Sequence, residues 1–118
     1  MLMRLGHIEL FVRDTHASKA FYMDVLGFEV VAVQGVHVWL KSASEVEILL
    51  RPGKAAPAAD DYSAAPAALV LYTDDLAQTA AGLRERGLRF SGNDKSSKCL
   101  TFQDPDGHWW QLVNPRDH

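Results

Sequence analysis

The sequence predicts an α+β fold made of two similar units, each a strand followed by a helix and three further strands. Apolar and polar residues alternate over 4–12, which is typical of a half-buried strand, and the segment 67–73 is also predicted to be a strand. After each segment, apolar residues recur at helical spacing between an Asp and a Gly, which favour helix starts and ends. Short sequence segments in the first half of the chain also match segments in the second half. These observations indicate an internal repeat, about residues 4–51 and 67–114, within one domain over 1–118.

The first unit begins with the strand segment "RLGHIELFV", which places Phe11 on the same face as the polar His7 and Glu9. Asp14 is placed to cap a helix over "DTHASKAFYMDVL" that ends at Gly27. We expect this helix to bury one apolar stripe, formed by Ala17, Ala20 and Phe21. Three strands follow, with the sequences "FEVVAV", "GVHVWLK" and "EVEILLR".

The second unit repeats this plan from the strand segment "AALVLYT" onward. Asp74 or Asp75 caps a helix that ends at Gly87. The helix carries one apolar stripe, formed by Leu76, Ala80 and Leu83. Three strands are predicted after it, with the sequences "LRF", "SKCLTFQ" and "GHWWQLVN". Between the units, residues 52–66 are rich in Pro, Ala and Asp and are predicted to form a mobile connection.

Composition excludes several classes of partner. The chain has 118 residues, a formal net charge of −3, 47% apolar residues and 23% charged residues, as in a soluble globular protein. No cluster of Lys and Arg favours nucleic acid, and no apolar run approaches the roughly 20 residues of a membrane span. The N-terminal segment does not resemble a signal peptide, and the single cysteine, Cys99, suits a reducing compartment. We therefore expect a cytoplasmic protein that binds neither nucleic acid nor membranes.

The segment "DPDG", residues 104–107, predicts a tight turn before the last strand, since Pro sets φ and Gly follows at low steric cost. Alternation along that strand places Trp109, Gln111 and Val113 on one face. It places His108, Trp110 and Leu112 on the other. A bulge after the turn would exchange the two faces.

On these motifs the chain resembles the vicinal-oxygen-chelate superfamily of glyoxalase I, bleomycin-resistance proteins, fosfomycin-resistance enzymes and extradiol dioxygenases. The motifs are "GHIELFVRD" leading into "AFYMDVLGFEV", then "VEILL" and "DPDGHWWQLVNP", and they cover essentially the whole chain. The resemblance implies two βαβββ units that form a curved mixed sheet with helices on its outer face. It also implies a homodimer that holds its ligands in the concave face.

The resemblance further implies four equivalent strand positions for metal ligands, which fall on His7, Glu47, Ala68 and Gln111. Alanine cannot bind a metal, and Gln111 offers only a neutral amide oxygen. The candidate metal ligands are therefore His7, Glu47 and Gln111, and the candidate cofactor is divalent Zn, Ni, Mn or Fe. Glu9 lies two residues from His7 on the same strand face and could hold a metal together with it.

This set of candidate metal ligands distinguishes between the types of enzyme in the resembled family. Extradiol dioxygenases need two His and one carboxylate on iron, and the resemblance implies that these come from the first, third and fourth positions. Only His7 of that set is present, which disfavours a dioxygenase and a fosfomycin-type enzyme. A lyase of glyoxalase I type would use all four positions, with a glutamate that carries the proton. Glu47 is the candidate catalytic base for that case.

Structural roles remain open for the same residues. His7 could be a hydrogen-bonded core residue instead of a ligand. Glu47 lies on an apolar strand, so its carboxylate needs a partner: a metal, His7, Arg51 or a neighbouring subunit. His37 alternates onto the face of Trp39, which either lines a cavity or is exposed.

Two functional hypotheses follow. The first is a small-molecule-binding protein that holds an organic ligand in a concave, aromatic-lined groove of a homodimer. The residues expected to line that groove are Phe11, His37, Trp39 and Trp109. The second is a metal-dependent lyase or isomerase, similar to lactoylglutathione lyase, with a substituted ligand set.

Overall fold

The computed structural model describes residues 1–54 and 57–117 and contains two compact units, Met1–Ala56 and Pro57–His118. In the first unit, a strand and a helix precede an antiparallel run of three strands. These elements are β1 (His7–Val12), α1 (Thr15–Ala20), a π-helical turn (Phe21–Val25), β2 (Glu29–Gln34), β3 (His37–Lys41) and β4 (Glu47–Pro52). This order matches the predicted strand, helix and three strands.

The four strands form a sheet in the order β1-β4-β3-β2. Strand β1 runs parallel to β4, whereas the remaining neighbours are antiparallel. One face of the sheet is buried, and α1 packs against it at β3 and β4. The buried side chains of this face are Leu10, Val12, Val38, Leu40, Ile48 and Leu50. The opposite face is therefore the one available to a ligand.

Helix α1 begins as predicted, because the Asp14 carboxylate accepts the backbone N–H groups of His16 and Ala17. The predicted stripe of Ala17, Ala20 and Phe21 is wrong. The buried side chains of α1 and the following turn are Thr15, Ser18 and Tyr22. Small hydroxyl side chains let the helix approach the sheet closely, and the bulk of the core comes from the tyrosine, which apolar periodicity does not identify.

The second unit has one strand fewer. Its elements are β5 (Leu69–Tyr72), α2 (Leu76–Glu85), β6 (Cys99–Gln103) and β7 (Trp109–Val113). The sheet order is β5-β7-β6, with β5 parallel and β6 antiparallel to β7. Of the two candidate caps, Asp75 accepts the backbone N–H of Gln78 at 3.0 Å.

The strand predicted over residues 88–90 does not form. The chain instead meets the edge of β6 at Ser91, whose N–H donates to the Thr101 carbonyl at 2.9 Å. The Thr101 hydroxyl donates to the Ser91 carbonyl in return. Gly92 then takes a φ of 67°, which turns the chain away before a ladder can extend.

The segment predicted as a connection carries structure of its own. Residues Tyr62–Ala64 form a 3-10 turn. The Ala59 carbonyl accepts a hydrogen bond from the indole of Trp109, so this stretch packs on the second sheet. Residues 55 and 56 of the predicted connection lie outside the described residues. No helix within 1–54 and 57–117 has the length and apolar composition needed to cross a bilayer.

Candidate functional site

The face of the first sheet opposite α1 combines charged and aromatic side chains. Residues paired across neighbouring strands share a face, so His7 lies beside Glu47 and Phe11 lies beside Arg51. We call this surface the polar–aromatic face. Its members are His7, Glu9, Phe11, His37, Trp39, Glu47 and Arg51. Three of the four predicted groove-lining residues therefore lie on one face of one unit.

Glu9 links two basic side chains of this face, His7 and Arg51. One carboxylate oxygen lies 2.7 Å from His7 Nε2, and the other accepts a hydrogen bond from Arg51 Nη1 at 2.9 Å. The Arg51 hydrogen bond, and then the His7 hydrogen bond, hold the pKa of the Glu9 carboxyl below its ordinary value. Sequence alternation indicated that Glu9 and His7 share a face, but it did not identify Arg51 as the second partner of Glu9.

Aromatic rings lie at both ends of this linked group. The His7 and Trp39 ring centroids are 4.8 Å apart in an edge-on arrangement. At the other end, the Arg51 guanidinium lies 5.6 Å from the centroid of the half-exposed Phe11 ring. The result is a continuous band that runs Trp39, His7, Glu9, Arg51, Phe11.

Glu47 and His37 border this band. Both side chains are half-buried. Glu47 lies between His7 on β1 and Lys41 on β3 in the strand register. A half-buried carboxylate keeps part of its hydration, so the partner expected for a fully buried Glu47 is not required. The assignment of Glu47 as a catalytic base remains a prediction.

Alternation along β7 follows the prediction. Trp110 pairs with Phe102 and stacks on its ring, with centroids 6.2 Å apart and planes inclined by 8°. Trp109 and Gln111 pair instead with Gln103 and Thr101, on the opposite face. The pairing continues without a bulge from one end of β7 to the other, so the predicted faces are confirmed.

Trp109 is covered within its own unit and is only 3% exposed. Its indole N–H donates to the Ala59 carbonyl at 2.9 Å, and the Tyr62 ring lies edge-on to it at 6.0 Å. A Cβ on Gly92 would come within 2.8 Å of the indole. A ligand could reach this ring only if the segment above it moved, and the predicted groove-lining role of Trp109 remains a prediction.

Gln111 is also covered, at 4% exposure. Its amide N–H donates to Asp94 Oδ2 at 2.5 Å. Asp94 lies in a tight turn in which the Asn93 side chain accepts the Lys95 N–H, and Lys95 itself has a φ of 60°. The sequence did not identify Asp94, because a polar loop such as "GNDKSSK" has no spacing that distinguishes one of its residues.

Asp94 acts on two neighbouring groups. Burial, and then a hydrogen bond with Asp94, raises the pKa of the Cys99 thiol. Burial, and then the charge of Asp94, raises the pKa of the Tyr62 phenol. The Asp94 carboxylate therefore lies among Tyr62, Cys99 and Gln111. Cys99 is itself buried.

The "DPDG" turn contains a second linked pair. One Asp104 oxygen accepts the N–H groups of Asp106 and His108, at 3.0 and 2.8 Å. The other lies 2.7 Å from His108 Nδ1, and this hydrogen bond raises the pKa of His108. Gly107 has a φ of 90°, which explains the glycine. The predicted turn is thus confirmed.

The candidate metal ligands do not form a metal centre within either unit. His7 and Glu47 belong to the first unit and Gln111 to the second, while Ala68 is exposed just before β5. Across the described ranges, no three His, Cys, Asp or Glu side chains gather as a metal site would require. The His7 Nε2 is bound by Glu9, and the Gln111 amide nitrogen donates to Asp94, which leaves the neutral amide oxygen of Gln111 as its candidate ligand atom. The residues of a single unit therefore do not form a site for a divalent metal.

A family model, the Glyoxalase/Bleomycin resistance protein/Dioxygenase superfamily, matches residues 4–112. The chain belongs to this superfamily. Its members commonly use divalent metals, which is why the substituted positions of this chain matter. No curated protein sequence matches the chain.

Solved structures of the superfamily share the fold over nearly the whole chain. TnmS3, an antibiotic binding protein from Streptomyces sp. CB03234, is 27% identical with a TM-score of 0.71, and 97% of each chain is covered. Lactoylglutathione lyase from Agrobacterium tumefaciens is 19% identical with a TM-score of 0.72, covering 98% of this chain and 96% of the other. The fosfomycin resistance protein FosX from Listeria monocytogenes is 17% identical with a TM-score of 0.71, covering 95% and 93%. At these identities the last two structures support the fold alone.

Proposed function

We propose that the protein is a metal-independent small-molecule-binding protein of the superfamily, which holds an organic ligand against the polar–aromatic face. The carrying observation is the continuous band from Trp39 through His7, Glu9 and Arg51 to Phe11. Aromatic surface at both ends offers flat apolar area, and the charged groups between them fix orientation. This combination is typical of sites for planar organic molecules.

The substitutions at the metal-ligand positions support a binding protein over a metal-dependent enzyme. Ala68 has no ligand atom, and Gln111 offers a metal only a neutral amide oxygen. The comparison with TnmS3 points the same way, because a protein that is 27% identical over almost the full chain binds an antibiotic. We therefore expect sequestration or transport of a small organic ligand in a cytoplasmic setting.

A second copy of the chain completes the proposed groove. Val70 and Tyr72 on the edge strand β5 are 46% and 72% exposed, which leaves apolar surface for a partner to cover. We expect a homodimer in which His7 and Glu47 of one subunit face Ala68 and Gln111 of the other. A sedimentation mass near the 13.1 kDa of a single chain at micromolar concentration would contradict the dimer.

The binding test uses the planar aromatic dye 8-anilinonaphthalene-1-sulfonate, titrated by its fluorescence. Trp39→Ala and Phe11→Ala should each weaken binding about fivefold or more, since a groove-lining aromatic contributes about 1 kcal/mol or more. Met23→Ala is the matched control, because it removes an exposed apolar side chain from the π-helical turn and not from the polar–aromatic face. Equal affinity in all four proteins, with native melting curves, would reject the polar–aromatic face as the binding surface.

The register of β1 and β4 favours a second candidate function. His7 and Glu47 are direct neighbours across these strands, as a lyase of glyoxalase I type with a substituted ligand set would require. In that case Glu47 is the base. Conversion of methylglyoxal and glutathione, measured with added Ni²⁺ or Zn²⁺, tests it: activity that Glu47→Gln abolishes would support the lyase. No turnover in wild type would reject it.

A further inference from the structure

We propose that Asp94 and Gln111 form a subsite beside Tyr62 for a protonated amine or guanidinium group. The inference rests on the proposed function in that it assumes a small organic ligand, and it assigns a charge to part of that ligand. It concerns the second unit, whereas the polar–aromatic face belongs to the first.

The hydrogen-bond direction at Gln111 defines what the subsite presents. One N–H of the amide donates to Asp94, and no hydrogen bond among the described residues engages the Gln111 Oε1. The carboxylate of Asp94 has only acceptor atoms. Asp94 and the Gln111 Oε1 together therefore offer oxygen acceptors, and a ligand group that binds these oxygens must donate hydrogen bonds.

The charge of Asp94 favours a cationic donor over a neutral one. No ion pair among the described residues involves Asp94, so no Lys, Arg or His side chain there contacts its carboxylate. The carboxylate is half-buried and lies over a covered sheet face, where screening by water is reduced. A hydrogen bond between charged groups is roughly twice as strong as a neutral one.

The aromatic surroundings also suit a cation. Tyr62 lies edge-on to Trp109, and of these two rings the half-buried Tyr62 is the more accessible. The electron-rich face of a tyrosine ring attracts ammonium and guanidinium groups within about 6 Å. A divalent metal is less well matched, because one carboxylate and one amide oxygen are too few protein ligands for a closed site.

The test compares 2-phenylethylamine, which is protonated at neutral pH, with the uncharged 2-phenylethanol. Binding is followed by amide chemical-shift titration of the full chain, which also locates the site. We expect shifts centred on Tyr62, Asp94 and Gln111, and a preference for the amine of about tenfold. Asp94→Asn preserves size and should abolish the preference. Asp74→Asn, which alters a carboxylate that is 97% exposed in the same unit, should preserve it.

Three results would overturn the assignment. These are equal affinity for the amine and the alcohol, an amine preference that survives in Asp94→Asn, and no shift at Tyr62, Asp94 or Gln111 at millimolar amine. The outcome is separable from the proposed function, because Trp39→Ala and Phe11→Ala alter only the first unit. If those variants leave dye binding unchanged while Asp94→Asn abolishes the amine preference, the proposed face fails and the subsite stands.

Discussion

His108 Nδ1 lies 2.7 Å from Oδ2 of Asp104, whose side chain is completely removed from solvent. The hydrogen bond with this carboxylate raises the pKa of His108 in the folded protein. A raised folded pKa means that the pair contributes most to stability below the unfolded histidine pKa of about 6.5. That contribution falls as pH rises through the folded pKa.

His108→Gln should therefore lower the free energy of unfolding by about 1.5–3 kcal/mol at pH 5, as expected for a hydrogen bond to a charged group. The deficit should shrink as the pH rises toward 9. Urea unfolding across this range measures it, with His16→Gln as the control because His16 is exposed. A deficit that does not change with pH would mean that protonation of His108 contributes nothing to the fold.

Two glycine substitutions should change the free energy of unfolding in opposite directions. At Gly107, φ is 90° and an added Cβ would lie 2.4 Å from the Ala58 Cβ, so Gly107→Ala should destabilise the protein by more than 1 kcal/mol. Gly82 lies inside α2 with nothing within 4 Å of such a Cβ, so Gly82→Ala should stabilise by about 1 kcal/mol. Thermal melting of both variants provides the measurement, and a shift of the same sign in both would contradict the argument.

Trp110 should be the most sensitive of the three tryptophans to truncation. It is almost fully buried and stacks on Phe102, so Trp110→Ala should cost about 3–5 kcal/mol. Trp110→Phe keeps an aromatic ring and should cost less. Trp39→Ala, on the half-exposed face, is the comparison that should leave the melting temperature nearly unchanged. Equal melting temperatures for Trp110→Ala and wild type would remove Trp110 from the core.

Any divalent metal that binds should bind weakly and should depend on His7 and Glu47. Few charged ligands are present, and a metal would have to displace Glu9 from His7 Nε2. Calorimetric titration of Zn²⁺, Ni²⁺ and Mn²⁺ into wild type, His7→Ala and Glu47→Gln measures this. Tight binding that survives both substitutions would assign the metal to other residues.

The sequence predicted the order of elements well, because strand alternation and helix caps are local signals. Asp14 and Asp75 cap their helices through a side chain and an N–H two or three residues away. The predicted faces of β7 are also correct, since the pairing has no bulge. Local signals were sufficient for these features, although the apolar stripe of α1 and the strand over 88–90, which were also predicted from local patterns, were wrong.

The missed features depend on contacts between segments that are distant in the sequence. Alternation placed Trp109 on a ligand face, but it did not indicate that Ala59 and Tyr62 would cover the ring. Truncation of Trp109 should therefore destabilise the fold, whereas the sequence alone suggested an effect on binding only. Likewise, the bond from Gln111 to Asp94 joins a strand to a loop without any repeat that signals it.

Strands β1 and β4 are neighbours in the first sheet, yet α1, β2 and β3 all lie between them along the chain. The β2-β3-β4 hairpins close over short loops, whereas pairing β1 requires a long loop to close first, which slows folding. We therefore expect β1 to dock after the nucleus has formed. His7, Glu9 and Phe11 all lie on this strand. A ligand bound to them would act on the rate at which β1 detaches, and so would slow unfolding without accelerating folding.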